Sequence, residues 1–448
     1  LFTNKEVQWT ARTEKGFKKM SKYGKVAREL LQFIDNSPSV YHVAENIKNA
    51  LTEQGFAELK EKDDWQIDAG KGYFVIRNDS SVIAFRMPQE KPQGFHVIAS
   101  HSDSPTFKVK EAPEMAVEEK YIKLNTEKYG GMILSTWLDR PLSVAGRIVV
   151  KEKDSQPVVR TVNVNKDLLV IPNVAIHMNR DMNKGFEYNP QVDMLPLMSL
   201  GTKEDSREML LKEVAKAAGV KEKDILAQDL FLYVREPGKL VGAKEEMSLS
   251  PKLDDLQAVF TSLQAFISKE PKQYINVLAV FDNEEVGSAT VQGADSTFLQ
   301  DVLQRICESM KWSHSEYCQM VAESFLISAD NAHAVHPNHP EKADPTNRPY
   351  VGGGIVIKYH GNKRYTTDAV SAAKMKLLCK AAKVQFQTYV NRSDIAGGST
   401  LGNISTSHVS LSSVDVGLPQ WAMHSAVETA GCKDTADAIK VFGVFFAE

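Results

Sequence analysis

INVLAVFDNEE, residues 275–285, is a short apolar run that ends abruptly in acid. A continuous run of this length, rich in β-branched residues, reads as a strand buried on both faces. The same grammar recurs at FHVIAS (95–100), followed by His101, and at FLIS (325–328), followed by Ala329-Asp330. It recurs again at VSLSSVDV (409–416), followed by Gly417. Helical spacing fills the gaps, over Leu253–Phe266, Ala294–Ser309 and Ala369–Val384, and in the closing DTADAIKVFGVFF. Strand and helix in turn predict an α/β fold, a central sheet with helices on both faces. Upstream, helices are expected over Val26–Phe33 and Val43–Leu51. A hairpin is expected from 73–77 to 82–86 around Asn78-Asp79-Ser80.

Between Thr106 and Met247 the texture changes. Short alternating segments (Phe107–Lys110, Tyr121–Leu124, Arg147–Val150, Val158–Val164) are separated by charged turns, with one helical patch at Ser206–Ala218. This reads as a β-rich insertion. The expected division is a catalytic domain from 1–104 and 249–448 and an inserted β-rich domain over 105–248.

The 54 basic and 57 acidic residues leave a net charge of −3, which argues against nucleic acid as a partner. No apolar run approaches the roughly 20 residues that span a bilayer, so no membrane partner is expected. Four cysteines without a C-x-x-C pair point to reduced thiols rather than a disulfide framework. The first residues, LFTNKEVQWTARTEKGFKKMSKYG, show no secretory leader. Cytoplasm is the expected location.

Functional groups of open α/β sheets gather at the carboxyl ends of the strands. There the sequence places His101, Asp103, Asp282, the pair Glu284-Glu285, Asp330, His333 and His424; Asp254 opens a helix. Two histidines with three carboxylates suit zinc, manganese or cobalt rather than calcium. A shared carboxylate offsets the repulsion of two dications, and five ligands with one counted twice supply three per ion. One of Glu284 and Glu285 then binds metal while the other accepts the proton of the activated water. Asp103 is placed to accept a hydrogen bond from the free imidazole nitrogen of His101. No H-E-x-x-H, G-x-S-x-G or P-loop motif occurs. His333, His336 and His339 are spaced like a metal cluster, but Pro337 and Pro340 break any helix that would align them.

These residues sit in longer motifs: SHSDSPTFKVK (100–110), STWLDRPLSVAGR (135–147), IPNVAIHMNR (171–180), PKLDDL (251–256), FDNEEVGS (281–288), SADNAHAVHPNHP (328–340), IVIKYHGNKRYTTDA (355–369) and VDVGLPQWAMHS (414–425). On them the chain resembles the aspartyl aminopeptidase family of dinuclear metallopeptidases over nearly its whole length. The resemblance implies a mixed central sheet flanked by helices, with an inserted dimerisation domain and assembly into a homododecamer. It assigns His101, Asp254 and Asp330 to one metal and Asp254, Glu285 and His424 to the other, with zinc the expected ion and manganese or cobalt acceptable to the same ligands. It makes Glu284 the general base. His177 would enter a neighbouring subunit's site as an oxyanion donor, and His333, Lys358 and Tyr365 would contact substrate. The implied reaction is removal of an N-terminal residue, preferably Asp or Glu, from peptides. The alternatives are a broader preference for neutral residues, a two-metal deacylase, and a non-catalytic assembly or cargo-binding protein on the same fold. The chain departs from the family at Asn331, His339, Tyr350–Gly354 and Ile395–Ser399, which bear on residue preference.

Overall fold

The computed structural model describes residues 23–152, 156–398 and 400–448. The stretch read as lacking a leader therefore falls almost wholly outside the described residues, as does Ser399 of the 395–399 segment.

Two helices, α1 (Gly24–Asp35) and α2 (Val40–Glu53), lead into β1 (Ala57–Leu59), β2 (Gly72–Arg77), β3 (Ser81–Arg86) and β4 (Gly94–His101). A stretch of mainly β structure follows: β5 (Thr106–Val117), β6 (Tyr121–Tyr129), β7 (Leu142–Val150), β8 (Val158–Asn163), β9 (Leu197–Leu200), helix α3 (Met209–Ala218) and β10 (Ile225–Val234). The chain continues through β11 (Lys239–Val241), β12 (Met247–Ser250), α4 (Leu253–Ile267), β13 (Tyr274–Phe281), α5 (Phe298–Ser309), α6 (His314–Glu323), β14 (Phe325–Ala329) and β15 (Ala332–His333). It closes with β16 (Ile355–Tyr359), α7 (Ala369–Ala381), β17 (Phe386–Val390), α8 (Leu401–His408), β18 (Ser412–Gly417), β19 (Pro419–Trp421), β20 (Glu428–Gly431) and α9 (Cys432–Phe446).

The central sheet has nine strands in the order β1-β2-β3-β13-β4-β14-β18-β16-β17. Its middle strands, β13, β4, β14 and β18, are mutually parallel, so their carboxyl ends share one edge. The apolar runs explain their central place, because both faces of each strand are covered. In β13, Leu278 and Val280 join the core formed with Leu30, Ile47, Phe266, Met375 and Phe442. The alternate residues Val277 and Ala279 join the opposite core with Leu299, Val302 and Ile306. Each fully buried large side chain contributes about 1.5–3 kcal/mol. The hairpin forms as expected, and Asn78 and Asp79 adopt left-handed conformations in its turn.

The inserted stretch forms its own sheet, β8-β7-β10-β5-β6-β9. Its core gathers Phe107, Leu124, Ile148 and Leu232, with Leu210 and Val214 from α3 packed against them. Five short strands, β11-β12-β20-β19-β15, make a third sheet that periodicity does not reveal, because each has only two to four residues. Several boundaries also differ: the helix expected from Ser206 begins at Met209, and that expected to reach Val384 ends at Ala381. The helix expected from Ala294 begins at Phe298, since Gly293 and Ser296 are held in turns. The strand expected from Val409 begins at Ser412, because α8, a polar run without apolar spacing, occupies the chain to His408. No helix among the described residues is long and apolar enough to cross a membrane.

Candidate metal centre

The shared edge of the parallel strands collects the acidic residues. His101 ends β4, Asp330 follows β14 directly, and Glu284 and Glu285 form a short turn after β13. Asp254 opens α4 next to β12, and His424 lies in the turn between β19 and β20. Three of these connections pass through a left-handed non-glycine residue: Lys252 (φ 57°), Asn283 (φ 65°) and His424 itself (φ 66°). Each costs on the order of 1 kcal/mol, a strain that such sites retain when the surrounding contacts enforce it.

The central feature is Asp254. Its Oδ1 faces His101 Nε2 at 3.5 Å, and its Oδ2 faces His424 Nε2 at 3.3 Å. Glu285 Oε1 lies 3.4 Å from the same His424 nitrogen. Three sets offer ligand atoms within 4.8 Å of one another: His101 with Asp254, Asp255 and Asp330; His101 with Glu284 and Glu285; and Asp254 with Glu285 and His424. Asp254 and Glu285 each belong to two of these sets, and Asp254 alone faces both histidines with different oxygens. Asp254 Oδ1, Asp255 Oδ1 and Glu285 Oε1 are buried without a hydrogen-bond partner. Buried acceptors of this kind are costly unless a cation meets them. Burial raises the Asp255, Glu285 and Asp330 carboxyls, with neighbouring carboxylates adding to the effect. It raises Glu284 to about 7. Burial also acts upward on Asp254, but the two histidines overcome it and hold that group below the carboxylate range. The donor set and its orphaned oxygens fit a pair of borderline dications.

These side chains are held from behind. His101 Nδ1 lies 3.1 Å from the Asp103 backbone oxygen and 3.4 Å from its Oδ1, so Asp103 faces the ring as expected but meets it mainly through the main chain. The Asp103 carboxylate accepts from the Glu284 and Glu285 amides, at 3.1 Å each, and from the Tyr129 hydroxyl at 2.8 Å. Glu428 accepts from the amides of Asp254 (3.0 Å) and His424 (2.7 Å). Burial, with Asp254 adding, lifts Glu428 to about 8. Asp255 accepts from the His101 amide at 3.2 Å. Sequence reasoning missed Asp255, Glu428 and Tyr129. The adjacent acids of PKLDDL were the available signal for the first; nothing in spacing marked the other two.

A cavity of about 170 Å³ opens over this cluster, lined by His101, Asp254, Glu284, Asp330 and His424 and, beyond them, by His333, Lys358 and Tyr365. Lys358 is buried with Nζ 3.5 Å from Asp330 Oδ2 and 5.4 Å from the centre of the Tyr365 ring. Burial opposes its charge, but Asp330 outweighs that and raises its pKa. The Thr366 and Thr400 hydroxyls both donate to Asp415, which ties the far wall of the cavity to β18. His177 is not brought to this cavity within the chain. It lies on an exposed turn beside exposed Val174, Ile176 and Met178.

A family model described as Aminopeptidase I zinc metalloprotease (M18) matches residues 33–446. The chain is 47% identical over 426 residues to the probable M18 family aminopeptidase 2 of Clostridium novyi, covering 94% of this chain and 98% of that one. It is 38% identical over 447 residues to aspartyl aminopeptidase 1 of Schizosaccharomyces pombe, covering 94% of each. Among solved structures, it superposes with a TM-score of 0.91 on a chain of the cryo-EM structure of the Ape4 and Nbr1 complex, at 37% identity over 95% of this chain and 86% of that one. It superposes with a TM-score of 0.83 on the S. cerevisiae mApe1 dodecamer, at 27% identity over 95% of this chain and 97% of that one.

Proposed function

The chain belongs to the M18 family of zinc metallo-aminopeptidases, and on that premise we propose that it removes an N-terminal Asp or Glu from peptides with two zinc ions per subunit. His101, Asp254 and Asp330 would hold one ion, and Asp254, Glu285 and His424 would hold the other. When bound, the ions supply Lewis acidity toward the scissile carbonyl and the attacking water. Glu284, in the cavity lining beside the ligands, takes the water's proton and passes it to the leaving amine. His177 enters from a neighbouring protomer and donates to the carbonyl oxygen as negative charge develops. Its exposed apolar neighbours Val174, Ile176 and Met178 support a packed rather than solvated turn. Residues 105–248 act as the dimerisation domain, and the protomers assemble into a homododecamer like the mApe1 neighbour. We place the protein in the cytoplasm, in keeping with four free cysteines.

The observation that carries this reading is the Asp254 carboxylate, whose two oxygens address two different histidines. Lys358 is the cation offered to an acidic side chain, with His333 and Tyr365 beside it. Its contact with Asp330 favours a second reading, in which neutral N-terminal residues are accepted as well. A panel of amino-acyl anilides, run on chelator-stripped protein with zinc, manganese or cobalt restored, tests both. Asp and Glu anilides turning over fastest support the first preference; equal rates with Leu or Ala support the second. Cleavage of acyl-blocked substrates alone would replace the aminopeptidase reading with a deacylase. No turnover of any substrate with any metal would remove the enzymatic reading.

A further inference from the structure

The inserted sheet reaches the catalytic turn at the end of β6. Tyr129 is the last residue of β6, and its Oη donates to Asp103 Oδ2 at 2.8 Å while accepting from Asn283 Nδ2 at 2.8 Å. Asp103 in turn accepts the two amides that define the turn, those of Glu284 and Glu285. Asn283 precedes that turn in the left-handed region (φ 65°). Its Oδ1 accepts from Thr290 Oγ1 and Gln292 Nε2, both at 2.8 Å. Tyr129 thus joins the two devices that shape the turn. Phe231 of β10 meets the tyrosine ring edge-on, with centroids 5.6 Å apart, and so fixes the ring from within the inserted sheet. Burial beside Asp103 raises the phenol's pKa, which keeps it a donor. The backbone is equally close: a Cβ at Gly130 (φ 77°) would lie 3.1 Å from the Glu285 Cβ, so the strand end passes directly over that ligand. The sheet could have packed on the catalytic sheet through apolar contacts alone. It contributes instead a half-buried phenol with both hydrogen-bonding functions used.

We infer that Tyr129 is a positioning residue: it clamps Asp103 and Asn283 so that the 283–285 turn presents Glu284 to the reacting water and Glu285 to its metal. The setting of the catalytic turn then depends on the inserted sheet. This rests on the roles proposed for Glu284 and Glu285.

The test compares Tyr129→Phe with the unmodified chain, both loaded with zinc, by steady-state kinetics and by amide hydrogen exchange in the peptide covering residues 282–287. The expected result is a kcat lower by about 10- to 100-fold with KM nearly unchanged, together with faster exchange at Glu284 and Glu285. Zinc release to a competing chelator should also quicken. Tyr121→Phe, at the exposed start of the same strand, should change none of these. If Tyr129→Phe does not fold, Asn283→Ser removes the other arm of the clamp and should give the same changes with smaller size. Unchanged kcat and unchanged exchange in a folded Tyr129→Phe protein would overturn the inference. So would a fall in thermal stability with no change at the turn. If the unmodified chain cleaves no anilide, the functional reading fails by itself, and the exchange and zinc-release measurements still decide whether Tyr129 sets the turn.

Discussion

Asp103 and Asp254 lie in the same floor and are equally removed from solvent, yet their surroundings are opposite. Asp103 accepts from two amides and a phenol. Asp254 presents Oδ1 to no donor at hydrogen-bond distance, and Asp255 and Glu285 each leave an oxygen in the same condition. A buried carboxylate surrounded by donors is a scaffold, because the hydrogen bonds repay its dehydration and fix the backbone that supplies them. A buried carboxylate without donors keeps its cost until a cation arrives. The difference separates the part of the site that shapes the turn from the part whose chemistry suits a cation, and it does so without reference to any relative.

That contrast fails or sharpens under mutation. Asp254→Asn should have the largest effect, since it alters the carboxylate whose two oxygens face His101 and His424. Zinc retention should weaken beyond the 10- to 100-fold typical of a supporting partner, with aminopeptidase activity lost; metal analysis after dialysis reads it. Glu284→Gln should lower kcat by about 10²- to 10⁴-fold, the usual range for a general base, while leaving zinc content intact. Loss of zinc in that variant would mean that Glu284 is a ligand and the two acids have been assigned in reverse. Asp103→Asn, which keeps one acceptor oxygen but loses the charge, should cost about 10- to 100-fold in kcat. If it instead emptied the site of zinc, Asp103 would belong with Asp254 and the contrast would be void.

The smallest effect concerns a buried group away from the metal cluster. His96 is stacked between Tyr274 and Phe445 and is fully buried. Burial lowers its pKa to about 3 from 6.5. Between those values the unfolded chain holds the extra proton, so stability should decline as pH falls from 6.5 toward 3. His96→Phe keeps the stacking and should flatten that part of the curve in chemical denaturation at several pH values. An unchanged slope would assign the whole acid dependence to the carboxylate cluster.

Much of this was legible in the chain. The run 275–281 had to be a central strand, since no face of it tolerates water, and the acids after it had to emerge at a carboxyl edge. The same reasoning placed His101 and Asp330, each at the end of an apolar run. The third sheet was hidden because strands of two to four residues carry no period. Its absence from the sequence reading matters, because β19 and β20 hold the turn that bears His424. Glu428 was hidden for a related reason: it meets Asp254 across 174 residues of chain. The assignment of individual ligands to each ion came from resemblance rather than spacing. Asp255, which shares a ligand set with His101 and Asp330, was overlooked because its neighbour already filled the expected role.

Residue type and strand position are local properties, so the chain alone determined that histidines and acids would collect at one edge of a parallel sheet, and that a β-rich stretch would interrupt it. Which oxygen faces which nitrogen is not local. Asp254 divides its two oxygens between His101 and His424, and Tyr129 reaches Asn283 across 154 residues, only because three separate sheets close around one floor. Those approaches depend on how distant backbone segments dock and on hydrogen-bond partners that no local pattern encodes, and so the tertiary structure alone decided them.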